Sequence, residues 1–245
     1  MEAEMDNIAQ LNRMIEESSN TVFFGGAGVS VPSGIPDFRS SGGLYNMKFR
    51  YPAETMLSHS FFMRHTEEFY DFYRTCMLYP DAKPNAAHLK LAELERNGKL
   101  SAVITQNIDG LHQAAGSRNV IELHGSVLRN YCTQCGEFYP VEYIISSEGV
   151  PRCSKCGGIV KPDVVLYEEQ LDSDAISDAI YHIHNCDLLI IGGTSLSVYP
   201  AASFIHYLRG GSKLVIINLS ATSADSSADL VITQGIDSVF EAVKC

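Results

Sequence analysis

Thr21-Val22-Phe23-Phe24-Gly25-Gly26-Ala27-Gly28 decides the fold. Four β-branched or aromatic residues read as a short buried strand, which runs straight into a glycine turn. A strand, a glycine turn and a helix open a nucleotide-binding α/β unit, so a helix is expected after Gly28. The same grammar recurs downstream. Residues 101–105 read as a buried strand ending in Gln106-Asn107-Ile108-Asp109-Gly110, and residues 120–123 end at His124-Gly125. Residues 187–191 end in Gly192-Gly193-Thr194-Ser195, and 213–217 end at Asn218. A last strand is expected over 229–232, with a short helix after Gly235.

Helical patterns lie between these strands. Met5, Ile8, Leu11 and Ile15 recur at helical spacing, as do Ile176, Ala179, Ile180 and Ile183. Asn85 is a cap for a helix to about Asn97, stopped by Gly98. Pro200 is read as the first position of a helix closed by Gly210-Gly211. Apolar strands alternating with helices predict an α/β fold, a parallel sheet covered on both faces. Ligands in such sheets bind beyond the carboxyl ends of the strands, so the five strand-end clusters predict one shared crevice.

Two stretches interrupt this alternation. Residues 40–84 are rich in Phe and Tyr and lack a convincing strand; one or two helices after an irregular loop are expected. The second stretch holds Cys132-Thr133-Gln134-Cys135 and Cys153-Ser154-Lys155-Cys156. This C-x2-C-x17-C-x2-C spacing is that of a structural zinc site. Each two-residue gap lets a tight turn aim two sulfurs at one point, and Gly136 and Gly157-Gly158 suit positive φ there. Four thiolates close the coordination sphere, so the metal is expected to be structural.

Bulk properties bound the function. The 245 residues are 45% hydrophobic and 19% charged, the composition of an ordinary soluble protein of one or two domains. A formal net charge of −11 argues against non-specific binding to nucleic acid or an anionic membrane. The acidic, polar start gives no signal-peptide pattern, and no apolar run approaches a membrane span. Seven cysteines, four in metal spacing and Cys76, Cys186 and Cys245 scattered, fit a reducing compartment and a cytoplasmic location. A disulfide framework is the alternative reading of the cysteines.

The Gly26-Ala27-Gly28 turn alone is weak: position 31 is valine, so G-x-G-x-x-G is incomplete. No acidic residue stands about twenty positions on at a clear strand end, so an ordinary dehydrogenase fits poorly. The residues that follow are more distinctive. Gly26-Ala27-Gly28-Val29-Ser30, Ser33-Gly34-Ile35-Pro36-Asp37-Phe38-Arg39, Thr105-Gln106-Asn107-Ile108-Asp109, His124-Gly125 and the cysteine pairs together resemble the sirtuin family of NAD-dependent protein deacylases. The resemblance runs in order along nearly the whole chain and looks like the bacterial or archaeal branch.

The resemblance implies a Rossmann-like domain from residues 1–39, 85–125 and 163–245. A smaller domain would join the helical module 40–84 and the zinc-binding module 126–162. It implies a deacylase whose substrates are acyl-lysine proteins or peptides, with products nicotinamide, acyl-ADP-ribose and free lysine. His124 would be the general base, since a near-neutral pKa suits removal of a ribose proton. Asn107 and Asp109 would hold the ribose, a water and the nicotinamide amide, although Asp109 alone also reads as a helix cap. Gln106 resembles the ribose contact, Ile108 would meet nicotinamide, and Phe38 would shield that pocket. Ser30, Val31, Ile35 and Asp37 lie in the same cofactor-binding motifs. Arg39 and the amides of Gly26, Ala27 and Gly28 would face the pyrophosphate. Gly193, Thr194, Ser195 and Asn218 resemble adenosine-side contacts, with Ile236 and Asp237 a looser match near adenine.

Val165, Leu166 and Tyr167 resemble the strand that pairs with substrate backbone. The family usually continues Phe-Gly-Glu, whereas this chain has Tyr167-Glu168-Glu169, which places bulk and charge beside the groove. Relatives that remove acidic acyl groups carry Tyr-x-x-Arg. Here Arg74 falls one step late after Tyr70, about 100° around a helix, which favours uncharged acyl groups, acetyl first. Two other functions remain open at this stage: ADP-ribose transfer to protein at the same NAD site, and a non-catalytic NAD- or zinc-binding interaction protein.

Overall fold

The computed structural model describes residues 2–40 and 42–244. Its main sheet has six parallel strands: β1 (Thr21–Gly25), β2 (Leu100–Thr105), β3 (Val120–Glu122), β7 (Leu188–Gly192), β8 (Lys213–Ile217) and β9 (Leu230–Ile232). Their order is β3-β2-β1-β7-β8-β9. The chain winds outward from β1 in one direction, returns, and winds outward from β7 in the other. The switch point between β1 and β7 is therefore where a crevice opens at the strands' carboxyl ends.

Both faces of this sheet are buried, as the unbroken apolar strands require. Phe23, Val103, Ile190 and Val215 point to one side and pack with α1 (Glu2–Glu17), α5 (Ala86–Arg96) and α9 (Ile236–Ala242) through Leu11, Leu91 and Phe240. Val22, Phe24, Ile104, Leu189 and Ile216 point to the other side, against Ile183 of α8 (Ser173–Asn185) and Phe204. The expected helix at Met5–Ile15 is present as α1, although the side chain of Met5 lies outside the described residues. Asn85 caps α5 by accepting from the Ala87 N–H at 3.0 Å, and Gly98 follows with φ 71°.

Two helical expectations change. No α-helix follows Gly28; two 3-10 turns, Ala27–Val29 and Val31–Ser33, take its place. Pro32 sits in the second turn and Gly34 has φ 87°, so the chain leaves helical geometry at once. Residues Ala201–Tyr207 are likewise 3-10, with Pro200 capping the segment rather than beginning it. The bond from the Ser203 N–H to the Pro200 carbonyl, 2.9 Å, closes the tighter turn.

The second unit is built from the two interruptions. The stretch 40–84 holds three α-helices rather than one or two: α2 (Ala53–Met56), α3 (His59–Arg64) and α4 (Thr66–Cys76). Ser58 caps α3 by accepting from Phe61, and the non-helical backbone of His65 divides α3 from α4. The cysteine-bearing segment forms a three-stranded antiparallel sheet, β5 (Phe138–Pro140), β4 (Gly125–Cys132) and β6 (Val160–Val164), with the helix α7 (Val141–Ser146). β4 pairs with β6 from Gly125↔Val164 to Cys132↔Val160. These two modules share one core, in which Phe62, Phe69, Tyr70 and Tyr73 meet Val127, Ile144 and Val160.

Candidate active site

A cleft of about 1390 Å³ lies at the switch point, walled by both units. Every strand-end cluster singled out in the sequence contributes to it.

The two glycine turns meet first. A Cβ on Gly28 would stand 2.8 Å from the Gly193 Cα, and one on Gly193 (φ 60°) would stand 2.4 Å from the Val29 nitrogen. Only glycine permits two backbones this close. The Gly26 and Gly28 amides donate to the Gly192 and Gly193 carbonyls at 3.2 and 2.8 Å. These two amides are thus spent on joining β1 to β7, contrary to the expectation that they face a pyrophosphate. Ala27 and Gly28 line the cleft, while Gly26 packs behind it on Thr194.

A polar chain crosses the floor. Asn107 Nδ2 donates to Ser30 Oγ at 3.0 Å, and Ser30 Oγ donates to Asp109 Oδ2 at 2.6 Å. Asp109 Oδ1 accepts from the Leu111 N–H at 2.9 Å, so this carboxylate also caps α6 (Leu111–Ala114). Both readings of Asp109, site residue and helix cap, hold at once. Ser30 is 1% exposed, and its hydroxyl relays between two residues far away in sequence. The Gln106 Nε2 is buried with no protein partner, an orphaned donor of the kind a ribose hydroxyl satisfies.

His124 follows β3 and faces the same space. Its Nδ1 lies 2.9 Å from the Gln106 carbonyl oxygen. A carbonyl only accepts, so Nδ1 carries the proton and Nε2 keeps its lone pair. Burial lowers the imidazole pKa, against the Gln106 hydrogen bond, which favours protonation. At neutral pH the ring is a free base. Gly125 is needed beside it: with φ 75°, a Cβ there would lie 1.9 Å from the Asp163 carbonyl oxygen. Arg129 locks this corner by pairing with Glu122 at 2.7 Å and Asp163 at 2.8 Å.

Val31, Ile35, Asp37, Phe38 and Arg39 form one side of the cleft, with Ile108 facing them. Phe38 packs on Tyr45, ring centroids 5.5 Å apart, and the Arg39 guanidinium lies over the same ring at 5.4 Å. At the far end Thr194 and Ser195 line the wall with Ile236 and Asp237. Asn218 also lines it, but its amide is committed: Oδ1 accepts from Thr194 N–H at 3.0 Å and Nδ2 donates to Thr194 O at 2.8 Å. It shapes the Thr194 turn.

Val165, Leu166 and Tyr167 line the opposite lip. Val165 N–H donates to the His124 carbonyl at 3.0 Å, tying this segment to the base. Ser220, Ala221 and Gln234 also line the cleft, and so do Met77, Leu78 and Tyr79 after α4. Met77, Leu78 and Tyr79 carry no polar or glycine cluster to mark them, whereas Ser220 and Gln234 stand in the strand-end stretches Asn218-Leu219-Ser220 and Thr233-Gln234-Gly235, which the strand-end rule reaches.

The four cysteine sulfurs lie within 4.8 Å of one another. Cys132 and Cys156 Sγ are 3.4 Å apart, and Cys135 and Cys153 are 3.5 Å apart. A tetrahedron with Zn–S of about 2.3 Å has edges of about 3.8 Å, so the set fits zinc. Gly136 and Gly157 have φ 70° and 78°, as the turns require. The Gln134 N–H and the Tyr139 hydroxyl donate to Cys132 and Cys153 sulfurs, which supports thiolates.

Beneath Asp109 lie two more histidines, His88 and His112, with rings 4.7 Å apart and exposures of 0% and 1%. Burial holds both pKa values well below the ordinary range; the Asp109 carboxylate opposes this only in part at His88. The unfolded chain therefore binds more protons than the folded one below about pH 6.5. Their contribution to stability is complete above that pH and is lost as pH falls. At pH 5.5 the two cost about 2–3 kcal/mol, a drop in Tm of roughly 4–10 °C relative to pH 7.5. Scanning calorimetry at both values checks this; an unchanged Tm contradicts it.

Comparison with known proteins agrees with the cleft. The Sir2 family model matches residues 26–200. An "NAD-dependent protein deacetylase" of Clostridium acetobutylicum is 59% identical over 242 residues, 98% of each chain. One from Clostridium perfringens is 60% identical over 240 residues, covering 97% of this chain and 98% of its own. A solved Sir2 histidine-to-alanine variant with deacetylated p53 peptide and 3'-O-acetyl-ADP-ribose superposes with TM-score 0.89 at 42% identity, covering 96% of each chain. A Sir2 bound to a propionylated peptide gives 0.86 at 41% identity, covering 96% of this chain and 95% of its own. The chain belongs to the Sir2 family.

Proposed function

We infer that this cleft performs NAD-dependent deacetylation of protein lysines, releasing nicotinamide, acyl-ADP-ribose and free lysine. The observation that carries the reading is His124: its Nδ1 proton is fixed on the Gln106 carbonyl, which leaves Nε2 as a base in a cleft of dinucleotide size. Bound NAD supplies an electrophilic ribose carbon and nicotinamide as its leaving group.

The chain's own residues do the rest. Val165, Leu166 and Tyr167 form the lip along which the substrate lies; their N–H groups are committed to His124, Glu169 and Leu57, so strand addition there, which is tolerant of sequence, uses the Val165 carbonyl. Asn107, Ser30 and Asp109 form a preset polar floor that orients the nicotinamide-bearing ribose. The Gln106 amide donates to a ribose hydroxyl. His124 Nε2 takes a proton from a ribose hydroxyl, which frees that oxygen to accept the acyl group. Phe38, braced by Tyr45, keeps water and departed nicotinamide from the reacting carbon. Ala27 and Arg39 face the pyrophosphate; Gly193, Thr194 and Ser195 hold the adenosine side, next to Ile236 and Asp237.

Cys132, Cys135, Cys153 and Cys156 hold one structural zinc. The division into residues 1–39, 85–125 and 163–245 against 40–84 and 126–162 is part of this reading, with the zinc-module border drawn out to Gly125 and Val164 by their pairing.

Uncharged acyl groups are favoured by the fate of α4. The Tyr70 hydroxyl donates to the Val160 carbonyl, and Arg74 donates to the Ile144 and Gly149 carbonyls. Neither side chain lines the cleft, so neither meets an acidic acyl group. The net charge of −11 argues against direct nucleic-acid binding. Among the described residues no helix is long and apolar enough to cross a membrane. Thiolate zinc ligation supports a reducing cytoplasm.

Product analysis tests the reading. With labelled acetyl-lysine peptide and NAD, the label is expected on ADP-ribose. With labelled NAD, label retained on protein instead would establish the transferase.

A further inference from the structure

Glu168 stands where the substrate lip turns back, and its backbone is left-handed, with φ 76°. Leu196 is the one other non-glycine residue at positive φ among those described. Such a conformation is unfavourable for a branched-off side chain, so something must hold it. Two hydrogen bonds do. Oε2 accepts from the Ser60 N–H at 2.8 Å and Oε1 from the Ser60 hydroxyl at 3.0 Å. The adjoining Tyr167 is stitched to the same helix start: its N–H donates to the Leu57 carbonyl at 3.0 Å, and its carbonyl accepts from the His59 N–H at 2.9 Å.

The two neighbouring acids differ in charge balance. Glu169 is met by Lys161 at 3.1 Å and His59 at 2.8 Å. Glu168 is held by neutral donors alone, and among the described residues no ion pair includes it. Glu168 thus stands at the cleft, three residues past Val165, with an exposed carboxylate fixed on Ser60 and met by no cation among the described residues.

We propose that Glu168 is a specificity-determining residue: it makes this groove prefer acyl-lysines flanked by a cationic side chain. This rests on the reading of Val165–Tyr167 as the strand that pairs with substrate. On that reading Val165 packs on the acyl-lysine; an extended substrate rises about 3.3 Å per residue, so Glu168 meets a side chain about two or three positions away. The carboxylate is already ordered by Ser60, so an approaching arginine need not immobilise it. The pairing is at an open rim, which limits its size and makes it salt-sensitive.

The test uses the full-length protein and two acetyl-lysine peptides that differ only in carrying arginine or glutamine two and three positions from the acetyl-lysine. Peptide binding is read by fluorescence anisotropy, and kcat/KM by nicotinamide release. The arginine peptide is expected to be favoured about two- to five-fold at low salt, with the ratio shrinking in 0.5 M salt. Glu168→Gln keeps one acceptor for Ser60 and removes the charge; the ratio should fall toward one. Glu168→Lys should invert it. Equal treatment of the two peptides by the unmodified protein, or a ratio that survives both substitutions, overturns the inference. Either result leaves deacetylation itself intact. Failure to release nicotinamide with any peptide contradicts deacetylation instead, while anisotropy still reports on Glu168.

Discussion

Replacing His124 with alanine is expected to lower deacetylation about 10²- to 10⁴-fold, the usual worth of a positioned general base. The fold should survive. His124 is half-buried and its Nδ1–H donates to a single carbonyl, so its loss removes one hydrogen bond, about 1 kcal/mol. Circular dichroism and zinc content should match the parent protein, and binding of NAD should be weakened little. The loss therefore belongs to kcat. The pH profile gives a second check on the same residue. Burial lowers the His124 pKa, so the base remains neutral through pH 7 and the rate should fall only below the ordinary histidine range. Near-normal turnover by the alanine variant removes His124 from its role.

Zinc removal is the other large effect. Free energies on the order of 10 kcal/mol accompany thiolate zinc binding in small modules, more than a typical margin of domain stability. Cys132 and Cys153 are part of the core shared with Phe69, Tyr70 and Ile144, so an emptied site loosens the helical module too. β4 carries the disturbance to the reaction centre: it begins at Gly125, next to His124, and ends at Cys132. Cys135→Ser, or exhaustive chelation, is expected to abolish metal binding and reduce deacetylation below about a tenth, while the main sheet retains its helical and strand signal. The metal acts through structure alone, because four protein ligands leave it no open position. Metal-free protein with full activity refutes this.

Much of the architecture is written locally in the chain. Residues 214–217 are apolar without interruption because both faces of β8 are covered, and that pattern needs no tertiary knowledge to read. Asn85 and Gly98 bracket α5 by side-chain and φ requirements of their own. The 3-10 turns after Gly28 were harder. Val29 and Ser30 suit a helix, but Pro32 and Gly34 cut the segment before an α-turn can propagate. Residues 40–84 hold three short helices because Ser58 and His65 punctuate them, and neither is a strong breaker in isolation.

The site was legible as residue types after strands, less so as bonds. That Ser30 links Asn107 to Asp109 depends on β1 lying beside β2, a pairing across about eighty positions. The Gly26 and Gly28 amides looked available in the sequence; only their close approach to Gly192 and Gly193 consumes them. Arg74 likewise turns from the cleft to the zinc module's carbonyls, which no helical spacing reveals. His88 and His112 carry no motif at all, since burial beneath Asp109 is a property of the packed fold.

Nicotinamide release from NAD, measured with and without an acetyl-lysine peptide, tests the central claim most directly. Release that depends on the peptide, with free lysine and acetyl-ADP-ribose formed in equal amounts, is the expected result. No release with the peptide present, or release at the same rate without it, contradicts the account.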